Sequence, residues 1–192
     1  MILRAVLLTL LGIGFLFTGM AGKQELNVGS KASDFSLTNA DGQLISLDSY
    51  ENAKGYIVIF TCNNCPYAQA YQQLIIDLHN QYATKGFPVI AINTSDSGEE
   101  IVSRAKEKNY PFAYLHDETQ AVSKAYGASR TPQVYILKKD KTVAYIGTID
   151  NNYKDANAAD KHYVNDAVDA LLVNKEVPTP TTKAIGCAIK WK

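Results

Sequence analysis

The sequence predicts an α/β protein with a central mixed sheet flanked by helices, an added N-terminal β-hairpin and an extended C-terminal tail. Three observations carry this. Two short apolar runs, Tyr-Ile-Val-Ile-Phe at 56–60 and Pro-Val-Ile-Ala-Ile at 88–92, suit strands buried on both faces of a parallel sheet. Each is followed by a segment of helical period, and such alternation implies right-handed crossovers between parallel strands. After Asn174 the stretch Pro178-Thr179-Pro180-Thr181-Thr182 can form neither a helix nor a central strand.

In chain order, Arg4 precedes an apolar run over 5–17, which gives way to small residues from Gly19 to Gly22. This is the pattern of a secretory signal peptide over 1–21, cleaved after Ala21. The run is short for a hydrocarbon core of about 30 Å, and an uncleaved membrane anchor is the alternative. No cysteine lies near the cleavage region, which argues against a lipid anchor. Residues 22–33 read as a polar linker. Two apolar stretches, 35–37 and 44–47, flank Asn39-Ala40-Asp41-Gly42, and Asp-Gly between such runs signals a hairpin.

The strand at 56–60 leads to Cys62, and Tyr71, Leu74, Ile75, Leu78 and Tyr82 then recur at helical spacing up to Gly86. After the second buried strand, 97–108 reads as a helix with Ile101, Val102 and Ala105 inward. A short strand at 112–115 and a helix at 118–126, ended by Gly127, come next. The stretches 134–137 and 143–146 form a hairpin across Lys139-Asp140-Lys141, and a last helix spans 160–172. The domain therefore covers 22–174, and 175–192 is the tail.

A chain of 192 residues buries enough apolar surface to fold without a staple, so its three cysteines are free for chemistry. Nineteen basic residues balance nineteen acidic ones, which gives no field to hold nucleic acid or an anionic membrane. Membrane contact is expected only through an uncleaved N-terminal segment. Export would permit disulfides that a reducing cytosol would not.

Cys62-Asn63-Asn64-Cys65-Pro66 places two thiols between a central strand and a helix start. Their spacing allows a reversible disulfide, and this Cys62–Cys65 pair is the redox group, with no other cofactor expected. Unpaired backbone N–H groups at a helix start would favour the Cys62 thiolate, making it the nucleophile. Cys65, a turn inward, would resolve the mixed disulfide. Pro66 suits the first turn, where its missing N–H costs no helical bond. Zinc is not expected, since His79, His116 and His162 are scattered and no second paired-cysteine motif exists. Tyr67, directly after the motif, is placed to shape access. Arg130-Thr131-Pro132 enters the strand that follows as a turn whose proline bond is a candidate for the cis form.

These stretches also carry a family resemblance. LNVGSKASDFSLTNADGQLISL (26–47) resembles the N-terminal hairpin of the redoxin, or alkyl-hydroperoxide-reductase/thiol-specific-antioxidant, superfamily. IVIFTCNNCPYAQAY (57–71) resembles the strand, redox pair and helix of its thioredoxin-like members, and YGASRTPQVYILKKDKTVAYIGTID (126–150) the stretch bearing their cis-proline. The terminal GCAIKWK is similar to a GCxIKW signature of a bacterial thioredoxin-family group. The resemblance implies a thioredoxin fold and thiol-disulfide exchange with protein thiols, coupled to an upstream redox donor or acceptor. It makes Cys62 the attacking and Cys65 the resolving residue, with Pro132 the cis-proline and Thr131 offering backbone to an extended substrate. Phe60-Thr61 stands where a tryptophan is usual, leaving thioredoxin's buried acid without a counterpart, and Asn63-Asn64 gives no redox poise to borrow.

Two other activities compete. A peroxidase would use a Pro-x-x-x-Thr-x-x-Cys motif, which is absent here, with Arg130 as the nearby guanidinium. A copper chaperone would use soft thiolates and a distant histidine. Cys187 is expected to be a tail residue outside the exchange pair, held to the body by Ile185, Ile189 and Trp191. The sharper alternative makes Cys187 an additional redox thiol carried to the site by the tail.

Overall fold

The computed structural model describes residues 26–155 and 158–192. The signal or anchor segment at 1–21 lies outside them. Among the described residues no helix is long and apolar enough to cross a membrane.

The N-terminal hairpin is β1 (Leu37–Asn39) and β2 (Leu44–Ile45), turning at Gly42, whose φ of +87° lies in the left-handed region open to glycine. The central strands are β3 (Gly55–Thr61), β4 (Val89–Asn93) and β5 (Ala113–His116). Between them lie the helices α1 (Pro66–Ala70), α2 (Gln72–Tyr82) and α3 (Gly98–Lys108). Then come α4 (Ala121–Tyr126), β6 (Arg130–Thr131), β7 (Gln133–Lys138), β8 (Val143–Gly147), α5 (Tyr163–Leu172) and β9 (Cys187–Ala188).

Seven strands form one sheet in the order β2-β1-β5-β4-β3-β7-β8, with β3, β4 and β5 parallel and the other pairings antiparallel. This mixed sheet with flanking helices is the expected thioredoxin fold. Every residue of β3 is buried, and its side chains alternate between two cores. Ile57 and Ile59 pack with Tyr71, Ile75 and Leu78, and with Val164 and Val168 of α5. Val58 and Phe60 face the opposite layer, where Phe60, Tyr126 and Tyr135 meet edge-on at centroid distances of 5.4 to 5.6 Å. Phe60 thereby anchors the end of β3, two residues before Cys62.

Local differences have simple causes. The single helix expected after the motif is two, meeting at Tyr71, whose hydroxyl donates to Asp150 across the core. α3 starts where Ser97 and Glu100 cap each other reciprocally. Its expected inward residue Val102 is instead 48% exposed, because Ile101 takes the core side. α4 begins at Ala121 rather than at the expected 118, and the Asp117 side chain organises its first turn. That buried carboxylate accepts from the Ser123 amide (2.8 Å), the Ser123 hydroxyl (2.5 Å) and the Val122 amide (3.3 Å). Asp117→Ala should cost about 1 to 3 kcal/mol, because buried donors lose their acceptor. Chemical unfolding checks this, and the loop from α4 into β6 should loosen with it.

The tail does not trail away from the body. Thr182 bonds to Ile146 and, through its hydroxyl, to Tyr145 and the Thr148 amide. β9 then pairs antiparallel with β6, Arg130 opposite Ala188 and Thr131 opposite Cys187. The anchor is Ile189, 7% exposed, rather than Trp191 (43%) or Ile185 (39%), which the sequence suggested alongside it. Trp191 sits against the Lys124 ammonium, 5.6 Å from the ring centroid.

Candidate active site

Both cysteines of the motif lie just beyond the C-terminal end of β3. Cys62 is half-buried and Cys65 is 2% exposed. Cys65 is the N-cap of α1, and Pro66 occupies the first helical position. The Thr131–Pro132 bond is cis. Thr131 bridges the two sulfurs, with its hydroxyl 3.2 Å from Cys62 Sγ and its carbonyl oxygen 3.0 Å from Cys65 Sγ. The sequence-derived residues Cys62, Cys65, Thr131 and Pro132 thus share one site.

The sulfur pairing differs from the expected one. Cys65 is bonded to Cys187, and Cys62 is the free thiol. Pairing of β9 with β6 sets Cys187 opposite Thr131, with its Cα 6.0 Å from that of Cys65, well inside the range a disulfide spans. Cys187 is therefore joined to the motif, against the expectation that it stands outside the exchange pair. The link spans 122 residues of sequence, which no local motif announces.

The charge environment of Cys62 also differs from expectation. Burial pushes its thiol above the ordinary range, the Thr131 hydroxyl and the Cys65 and Asn64 amides oppose this, and the Asp96 carboxylate adds to it. The helix-start argument fails because α1 begins four residues later, at Pro66, and has only five residues, too few for a strong dipole at Cys62. A raised pKa means less thiolate at neutral pH. Alkylation of Cys62 should therefore be slow at neutrality and climb only above the pH range of an ordinary thiol, which rate measurements against pH will check. Asp96→Asn should shift that profile to lower pH.

Asp96 is the residue the sequence reading missed. It is buried and accepts from the Asn63 amide (2.6 Å), Asn64 Nδ2 (3.1 Å) and Asn93 Nδ2 (2.7 Å), so it fixes both residues between the cysteines. Tyr114 completes this network, its hydroxyl donating to Asn63 Oδ1 (2.6 Å) and accepting from Asn93 Nδ2 (2.7 Å). The available signal was the polar run Asn93-Thr94-Ser95-Asp96 just after a buried strand, since Asn93 pairs in register with Thr61. The Tyr67 and Tyr153 rings lie 4.4 Å apart, tilted by 41°, beside the helix start. The Arg130 guanidinium donates to the Gly186 carbonyl (3.0 Å). Among the described residues no three His, Cys, Asp or Glu side chains converge to hold a metal.

A cysteine pair beyond a central parallel strand, facing a cis-proline turn, defines a redox-type site on a thioredoxin fold. The chain belongs to the AhpC/TSA family, whose model matches residues 28–146. It is 24% identical over 147 residues to the thiol-disulfide oxidoreductase ResA of Bacillus cereus (strain ATCC 10987 / NRS 248), covering 74% of this chain and 84% of that protein. It is 26% identical over 129 residues to the chloroplastic peroxiredoxin Q of Oryza sativa subsp. japonica, covering 64% and 59%. An uncharacterized conserved protein from Geobacillus kaustophilus shares the structure with a TM-score of 0.81 and 36% identity, over 87% of this chain and 93% of that one.

Proposed function

We propose that this protein is a thiol-disulfide oxidoreductase that exchanges disulfides with protein thiols, Cys62 making the first bond to substrate and Cys65 resolving it. The observation that carries this reading is the contact of both sulfurs with Thr131, directly before the cis-proline. In that arrangement the edge of β6, paired with the tail strand β9 in this structure, supplies backbone to an extended polypeptide once the tail is displaced, while the sulfurs face it. As the half-buried member, Cys62 is reachable, whereas Cys65 is enclosed. The Cys62 thiolate attacks a substrate sulfur and displaces its partner. In the form whose Cys65–Cys187 bond an upstream dithiol protein has reduced, itself becoming a disulfide, the Cys65 thiol then loses its proton to solvent and attacks Cys62, forming Cys62–Cys65 and releasing the reduced substrate. The likeness to ResA supports the same reaction class.

The cysteines themselves are the only redox group required. The protein works outside the reducing cytosol, supported by the signal-peptide pattern at 1–21 and by a disulfide in its own fold. An upstream dithiol or disulfide protein keeps it in redox balance.

The likeness to a peroxiredoxin gives a second reading, thiol peroxidase. Against it, Val58 stands where that motif needs proline and Cys62 where it needs threonine, and Arg130 is engaged by the tail. Two assays on one preparation decide: reduction of a disulfide-bridged protein driven by dithiothreitol, and consumption of hydrogen peroxide with the same reductant. Cys62-dependent turnover in the first alone supports the exchange reading, and rapid turnover in the second alone overturns it.

A further inference from the structure

The C-terminal tail occupies the ground an extended substrate would need. β9 uses the backbone edge of β6 at Arg130 and Thr131, and the Ile189 amide donates to the Ser129 carbonyl (2.9 Å). Gly186 lies so close over the cis-proline turn that a Cβ there would come within 2.1 Å of the Thr131 oxygen. Beyond it, Gln120 holds the tail by donating to the Lys190 carbonyl (2.9 Å) and accepting from the Lys192 amide (2.8 Å). Cys187, half-buried, is bonded to Cys65, and the free Cys62 sulfur touches the same Thr131. Three sulfurs and one groove thus meet at a single residue.

We propose that Cys187 is a third redox thiol of the exchange reaction and that the tail is a tethered occupant of the substrate groove, released when Cys62 displaces it. The proposal rests on the exchange reading above. Cys62 loses its proton to solvent, and its thiolate attacks Cys65 Sγ. The Cys62–Cys65 bond forms and the Cys65–Cys187 bond breaks. The electron pair leaves on the Cys187 sulfur, which takes a proton from solvent. One disulfide and one thiol stand on each side, so no oxidant or reductant is consumed. The latched isomer keeps Cys65 out of the reaction and the groove filled. The released isomer presents the Cys62–Cys65 disulfide with the groove open, and the Cys187 thiol is then free to attack in turn and return the tail.

The test is the partition of a single label. Full-length oxidised protein is treated with N-ethylmaleimide, and its disulfides and labelled cysteines are mapped by mass spectrometry. The expected result is two species, Cys62 labelled with Cys65–Cys187 intact, and Cys187 labelled with Cys62–Cys65 formed. Gly186→Ala, which touches no sulfur, should raise the Cys187-labelled fraction severalfold by unseating the tail. Cys62→Ser should leave Cys187 unlabelled. Label confined to Cys62 in both the wild type and Gly186→Ala, or Cys187 labelling that persists in Cys62→Ser, overturns the proposal. Oxidation of a reduced test protein separates this from the underlying reading. If neither wild type nor Cys187→Ser exchanges with it, the exchange reading fails, while the label partition still decides whether the sulfurs interchange.

Discussion

Replacing Cys62 by serine should reduce exchange with a protein disulfide to the uncatalysed rate while leaving the fold almost as stable as before. Among the described residues Cys62 is the only free cysteine, and Cys65 is enclosed as well as bonded, so no other sulfur can take over the first attack without rearrangement. A serine hydroxyl keeps the short side chain and can still bond to the Thr131 hydroxyl, and a serine alkoxide does not form at ordinary pH. The Cys65–Cys187 bond is untouched, so the melting temperature should move little. Insulin-type turnover and thermal unfolding on the same preparation make the comparison. A variant as active as wild type would mean that Cys187 or Cys65 meets substrate first.

Reduction of the protein should lower its stability by an amount large for one bond. The Cys65–Cys187 link closes a loop with a sequence separation of 122. Loop-closure entropy for such a length gives up to about 5 kcal/mol, and removal of native disulfides typically costs about 2 to 5 kcal/mol. A Cys62–Cys65 disulfide would close only a few residues and contribute far less by the same reasoning. Denaturant unfolding with and without reductant therefore reports which pairing holds the oxidised protein together. Coincident curves would be the result expected if only the short pair formed. Cys187→Ser should shift the oxidised curve toward the reduced one, since the remaining disulfide spans too little chain to replace the lost constraint.

The parts of the fold readable from sequence were those set by local pattern. Residues 56–60 and 89–92 lie in β3 and β4 because continuous β-branched runs need burial on both faces, and Gly86 and Gly127 do lie in the left-handed region at their segment ends. Val102 was misjudged because a helix with Ile101 and Val102 adjacent can turn only one of them fully inward. At the site, Cys62, Cys65 and the cis bond before Pro132 were readable because motif and resemblance agreed. The route of the tail was not. Its return depends on Ile189, Thr182 and the bare backbone of Gly186 finding partners far away in sequence, and no periodicity records such pairings. The same holds for Asp96, whose role comes from register between β3 and β4 rather than from its neighbours in the chain. The reactivity of Cys62 was misread for a related reason, because the spacing reveals a nearby helix start but not the burial that outweighs it.

The central claim is that Cys62 makes the covalent bond to a protein substrate, and trapping that bond tests it most directly. Reduced Cys65→Ser protein, mixed with a disulfide-bridged polypeptide and quenched with acid, should accumulate a mixed disulfide that peptide mapping assigns to Cys62. Failure to form any adduct, or an adduct on Cys187 with Cys62 left as a free thiol, would contradict the account.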